Sequence, residues 1–181
     1  MDTNEQYDAV VEQCRKIFVT KTKDYGTAWR VLRPISIIDQ IYIKAQRIRN
    51  IQEIGTQMVE DHISSEFVGI INYSLIGLIQ LELTENDPEE LDAGFATEQY
   101  DRHFLTAKHL MRSKNHDYGE AWRNMSQQSF VDLILMKLQR MRQIIGNEGQ
   151  TLASEGLDAN YLDIINYSVF ALILMNQKQH S

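Results

Sequence analysis

Lys114-Asn115-His116-Asp117-Tyr118-Gly119-Glu120-Ala121-Trp122-Arg123 is the stretch on which the chain turns, because the chain contains it twice. The earlier copy is Lys21-Thr22-Lys23-Asp24-Tyr25-Gly26-Thr27-Ala28-Trp29-Arg30, at a spacing of 93 residues (117 − 24). Lys, Asp, Tyr, Gly, Ala, Trp and Arg recur in place. The same spacing pairs Glu5-Gln6-Tyr7-Asp8 with Glu98-Gln99-Tyr100-Asp101. It also pairs Asp39, Lys44, Gln46, Arg47 and Arg49 with Asp132, Lys137, Gln139, Arg140 and Arg142. One inserted residue later, Ile70-Ile71-Asn72-Tyr73-Ser74 matches Ile164-Ile165-Asn166-Tyr167-Ser168. Self-similarity at a fixed period means two copies of one structural unit. We divide the chain into a first repeat over 1–83, a linker over 84–96 and a second repeat over 97–181, packed as one globular unit.

Each unit reads as three long helices. Asn4 and Thr97 are the expected N-caps, each followed by an acidic first turn. The first helices are expected to run to about Thr20 and Ser113, where the Asp-Tyr-Gly stretch breaks the pattern and its glycine takes a left-handed turn. The second helices are expected over Ile35–Ile54 and Ser129–Ile145, and the third over Asp61–Leu83 and Glu155–Asn176. No segment alternates with the period of a strand. Of the sixteen residues Phe130–Ile145, ten are apolar, more than one amphipathic stripe needs. The expected fold is therefore all-α: two tandem three-helix repeats in a pseudo-two-fold bundle, with the second and third helices of both units forming a four-helix core.

Composition narrows the functional classes. A net charge of −7 over 181 residues argues against binding to duplex nucleic acid. It leaves room for a small phosphorylated ligand, which needs only a few local cations. The single cysteine, Cys14, rules out a disulfide framework and a cysteine zinc site. The first residues lack the basic and apolar regions of a signal peptide, and the oily stretch from Tyr161 to Met175 reads as too short to span a bilayer. A cytoplasmic protein without membrane contact is the expectation, with a homo-oligomer left open.

The informative residues are the polar ones set in oily helices. Lys137 and Arg140 are three apart on one helix, as are Asp163 and Asn166 on another, so each pair shares a face. Buried without partners, such charges would cost several kcal/mol. Two readings stand: an internal salt-bridge network that fixes helix register, or a polar pocket offering cations to phosphate and carboxylates to a metal or base. The repeated stretch also has two readings. As structure, Trp122 and Tyr118 plug a gap beneath a loop while Asp117 caps the next helix. As function, Lys114 meets a phosphate and Tyr118 or Trp122 stacks on a base. Glu155 and Asp158 would share a helical face with Asp163 a turn and a half further on, a set that suits Mg²⁺ held jointly with substrate phosphates. No nucleophile elbow, Walker-type loop or dinucleotide fingerprint is present.

Taken together, Lys-x-x-Asp-Tyr-Gly-x-Ala-Trp, Asp-x4-Lys-x2-Arg and Asp-x2-Asn-Tyr resemble the nucleotide-modification-associated domain 1 family, in both units and over most of the chain. The resemblance implies an all-α nucleotide-binding protein of nucleotide metabolism or modification. The helical layout is also distantly similar to MazG-like NTP pyrophosphatases, which implies a Mg²⁺-dependent phosphohydrolase. Carried over, the second unit supplies Lys114, Asp117, Tyr118, Trp122, Lys137, Arg140, Asn166 and Tyr167 for the ligand. Asp132, Glu155 and Asp163 would be its catalytic acids, and Glu155 and Asp163 its metal ligands. The first unit keeps Lys21, Asp24, Tyr25, Trp29, Lys44, Arg47, Asn72 and Tyr73, but has Gly69 in place of Asp163 and Asp61 in place of Glu155. Lys44 and Arg47 must therefore find another anion: a bound phosphate, or Glu66 one turn before Gly69.

Overall fold

The computed structural model describes residues 1–55, 60–148 and 156–179, with the backbone alone over 60–62 and at 179. Helices α1 (Thr3–Tyr25), α2 (Pro34–Ile54) and α3 (Glu60–Leu81) form the first unit, and α4 (Ala93–Tyr118), α5 (Gln127–Gly146) and α6 (Leu157–Gln179) the second. Single 3₁₀ turns, Ala28–Val31 and Ala121–Asn124, follow α1 and α4 at the same place in each unit. No strand occurs among the described residues. The fold is the all-α pair of three-helix repeats that the duplication implies.

Helix ends depart from the sequence expectation in a consistent way. Asn4 lies inside α1, and Asp2 is the cap, its carboxylate accepting from the Glu5 amide at 2.8 Å. Thr97 likewise lies inside α4, which Asp92 caps at 3.0 Å from the Phe95 amide. An aspartate caps as well as Asn or Thr, so each helix starts at the earlier available carboxylate. The linker thus ends at Asp92, and residues 93–96 belong to α4. At the other end, α1 and α4 do not stop at Thr20 and Ser113. They run through the Lys-x-x-Asp-Tyr segment and end where Gly26 (φ +62°) and Gly119 (φ +61°) can adopt a backbone that L side chains resist. Their amides close the last turns on Thr22 O and Asn115 O, at 2.8 and 2.9 Å.

Four helices make the core. The most extensive packing is α3 on α6, followed by α2 on α3, α5 on α6 and α2 on α5, which closes a ring. Helices α1 and α4 lie across α3 and α6. One apolar cluster runs through both units, with Phe67, Ile71, Phe130, Ile134, Tyr161 and Ile165 fully buried. Gly77 lets α3 sit flush on α6, since a Cβ there would collide with the Tyr161 ring. By length and composition α3 (Ile63–Leu81) and α6 (Leu157–Lys178) could each cross a membrane, a correction to the shorter stretch read from the sequence. Here 61% and 67% of those spans is buried, because each helix uses the other as its apolar surroundings.

Two reciprocal ties cross the pseudo-two-fold. The Tyr7 hydroxyl donates to Asn166 Oδ1 at 2.7 Å, and Asn166 Nδ2 donates to Ala107 O at 3.0 Å. In mirror fashion the Tyr100 hydroxyl donates to Asn72 Oδ1 at 2.7 Å, and Asn72 Nδ2 to Cys14 O at 3.2 Å. Each unit's asparagine thus binds its own first helix and the other unit's tyrosine. Burial pushes both phenols and the Cys14 thiol upward, so all three stay neutral.

Candidate functional site

The repeated cations and acids meet on the outer side of each three-helix unit, and the two units arrange them differently. In the second unit, α6 presents Asp163 to both lysines of the motif. Lys114 Nζ lies 2.9 Å from Oδ1 and Lys137 Nζ 2.8 Å from Oδ2, so each carboxylate oxygen takes one ammonium. The Lys137 and Asp163 side chains are nearly buried, and Lys114 closes the pair from the solvent side. Arg140, expected beside Lys137, is exposed and has no ion pair among the described residues. The lysine stem bends into the helix interface, whereas the arginine one turn on faces water.

In the first unit the acid has moved. Gly69 stands at the Asp163 position, and the carboxylate comes from Glu66, three residues earlier on α3. Glu66 Oε1 accepts from Arg47 at 2.7 Å, and its other oxygen is 3.6 Å from Lys44 Nζ. The corresponding residue in the second unit is Asn160, whose amide bonds Gly156 O at 2.8 Å. Lys44 lies across the bare Cα of Gly69, within 2.9 Å of where a Cβ would stand. Lys21, the counterpart of Lys114, is exposed and has no acidic partner among the described residues. The structural alternative for Lys44 and Arg47 is therefore realised: Glu66 serves both.

The tryptophans diverge in parallel. Trp122 is buried, stacked on Phe170 at 4.2 Å and nearly parallel to it, with Nε1 donating to Asn115 Oδ1 at 3.1 Å. In the first unit the residues at the Phe170 and Asn115 positions are Ile76 and Thr22. Thr22 turns its hydroxyl back to Phe18 O at 2.8 Å, and Trp29 remains half-buried. A cavity of about 620 Å³ opens there between α1, the 3₁₀ turn, α2 and α3. Trp29, Tyr25, Phe18 and Tyr73 wall it, Lys21, Lys44 and Glu66 charge it, and Gly69 lies at its base. Lys44 Nζ sits 5.8 Å from the Tyr73 ring centroid, over its face.

Several residues read from the sequence fall elsewhere. Asp132 does not join Asp163: it is exposed on the side of α5 toward α2, where Arg49 lies 3.7 Å away. Asp39 repeats the arrangement with Arg142 at 3.0 Å, so these two acids clip α2 to α5. Positions 132 and 137 are five apart, about 140° around a helix, which is why Lys137 and Asp132 face different neighbours. Glu155 lies outside the described residues, as does the side chain of Asp61. Asp117 does not cap the next helix; it is exposed beside His116 at 3.2 Å, and Ser126 caps α5. Tyr118 plugs no gap, being 74% exposed, and Tyr25 is 72% exposed. Asp24 is exposed too, and Tyr167 is half-buried beside the core. The amides of Asn72 and Asn166 are engaged in the ties between units, although Asn72 also borders the cavity.

The residues that fix the repeated turn had gone unread. Arg30 donates to the carbonyls of Pro88, Thr84 and Asp87, and Thr27 bonds Glu89 O and the Leu91 amide, so the turn holds the segment leading into α4. Arg123 does the same for the start of α1 through Thr3 and Gln6, at 2.7 and 2.6 Å. The recurrence of Arg after Trp was the available signal.

The sequence pattern of the nucleotide modification associated domain 1 family matches the chain twice, over residues 21–81 and 114–175. With two thirds of the chain inside those segments, the protein belongs to that family. It is a tandem member, carrying one copy of the domain in each three-helix unit. No curated protein and no solved structure matches the chain.

Proposed function

We propose that the chain binds a nucleotide, or a closely similar phosphorylated aromatic ligand, in the cavity of its first unit. The observation that carries the reading is the composition of that cavity. Aromatic side chains from Trp29, Tyr25 and Tyr73 and the amino groups of Lys21 and Lys44 line one space of about 620 Å³. Small-molecule sites combine apolar enclosure with a few placed polar groups in volumes of roughly 300–1,000 Å³. Aromatic faces accept bases of any sequence, and ammonium groups accept phosphate. Membership of a family named for its association with nucleotide modification supports the same ligand class. The buried, reduced Cys14 fits the cytoplasmic setting we propose for it.

Mg²⁺-dependent hydrolysis does not fit the described carboxylates. Asp163 and Glu66 are each engaged by two cationic side chains, and Asp132 belongs to the α2–α5 contact. Among the described residues no three His, Cys, Asp or Glu side chains gather as a metal site. The proposal is therefore one of binding. A second reading, a structural module held by internal ion pairs, is favoured by Asp163 alone and suits the second unit.

Thermal unfolding with AMP, GMP, CMP, UMP and dTMP tests the proposal. At 100 times its dissociation constant a ligand adds about 2.7 kcal/mol of stability. Stabilisation by at least one of these, lost in Trp29→Ala, is the expected result. An unchanged transition with all five refutes it.

A further inference from the structure

The two units contain the same pair of lysines, and one of them already holds an anion. In the second unit that anion is Asp163, with Lys114 on one oxygen and Lys137 on the other at 2.9 and 2.8 Å. In the first unit the equivalent lysines, Lys21 and Lys44, border one cavity, and the residue that would carry the carboxylate is Gly69, at the base of that cavity. We infer that Asp163 is a built-in stand-in for a ligand's phosphate, and that Lys21, Lys44 and Gly69 form the phosphate subsite of the first unit. The inference rests on the nucleotide reading of the cavity and places that ligand's charged end within it.

Three features support the assignment. Two ammonium groups on two separate oxygens is how a phosphate monoester is bound, and a carboxylate can imitate it from within the chain. Glu66 pairs with Lys44 only at 3.6 Å, its shorter contact being to Arg47 at 2.7 Å. An ammonium carries three donors, so Lys44 can serve Glu66 and a ligand oxygen together. Lys21 has no acidic partner among the described residues. With no side chain at 69, Lys44 lacks the carboxylate that its counterpart Lys137 has there, and its own movable end lies across the Gly69 backbone. In the second unit the same region holds the Trp122–Phe170 stack.

Binding of each nucleoside and its 5′-monophosphate, measured by calorimetry on wild type, Gly69→Asp and Gly69→Asn, isolates the subsite. In wild type the phosphate should improve affinity about tenfold or more over the nucleoside. Gly69→Asp should abolish that gain, and Gly69→Asn, of equal size but without the charge, should retain more of it. An unchanged phosphate gain in Gly69→Asp overturns the inference, as does equal loss in the Asp and Asn variants. If Gly69→Asp does not fold, Lys21→Gln takes its place, and a retained gain overturns the inference. If no nucleoside or nucleotide binds wild type, the nucleotide reading fails, and the stand-in is judged by inorganic phosphate on Asp163→Gly. Phosphate should raise the melting temperature of that variant more than that of wild type, and an equal rise in both overturns it.

Discussion

The two units solve one electrostatic problem in two ways. Both place a pair of lysines against the third helix of the unit. The second supplies Asp163 directly between them and adds Phe170 and Asn115 around its tryptophan. The first shifts its acid by three residues to Glu66, leaves Gly69 bare and Trp29 without a stacking ring among the described residues, and has a cavity of about 620 Å³. The fuller set of motif residues belongs to the copy whose two lysines share one internal carboxylate, and in the other copy that carboxylate is displaced to Glu66.

The tryptophans should break this symmetry most visibly. Trp122→Ala removes a buried ring from a stack and should cost about 3–5 kcal/mol of stability. Trp29→Ala should cost roughly half as much or less, because that ring is half-buried beside open space. Urea denaturation of both variants reads the difference, and equal costs would mean that the two environments are alike.

The acids come next. Asp163→Asn leaves the nearly buried Lys137 without its counter-charge and should cost about 3 kcal/mol. The estimate takes the low end of the usual range because Lys114 can turn to water. Glu66→Gln should cost about 1 kcal/mol, since the Arg47 side chain is half exposed and rehydrates. Midpoints of chemical denaturation on the two variants test the ordering.

Equal effects are expected where the two units are symmetric. Tyr7→Phe and Tyr100→Phe each remove one hydroxyl from a buried asparagine carbonyl. Both should cost about 1–2 kcal/mol, and by the same amount within error. A marked inequality between them would place the asymmetry in the central ties as well as in the outer sites.

The fold could be read from the chain because its signals were repeated and periodic. Tyr7 with Tyr100 and Asn72 with Asn166 recur in register, and the oily faces of α5 and α6 exceed one stripe. The N-caps were misread because Asp2 and Asp92 lie a few residues upstream of equally plausible polar residues, and only geometry selects between them. The site was read in part. The meeting of Lys114, Lys137 and Asp163 follows from spacing along helices that pack together. The separation of Asp132 depends on which neighbour each face of α5 meets, and sequence spacing does not contain that. The cavity of the first unit was hidden for a further reason: it is made by replacements that look minor, Ile76 for Phe170, Thr22 for Asn115 and Gly69 for Asp163.

The chain has two tryptophans, one in each unit, so a single spectrum can report on both sites. Protein labelled with 5-fluorotryptophan gives one fluorine resonance for Trp29 and one for Trp122, assigned from the Trp→Phe variants. Titration with the nucleoside monophosphate that most raises the melting temperature should move the Trp29 resonance to saturation and leave that of Trp122 in place. Movement of Trp122 with Trp29 unchanged, or no movement of either, would contradict the assignment of the ligand site to the first unit.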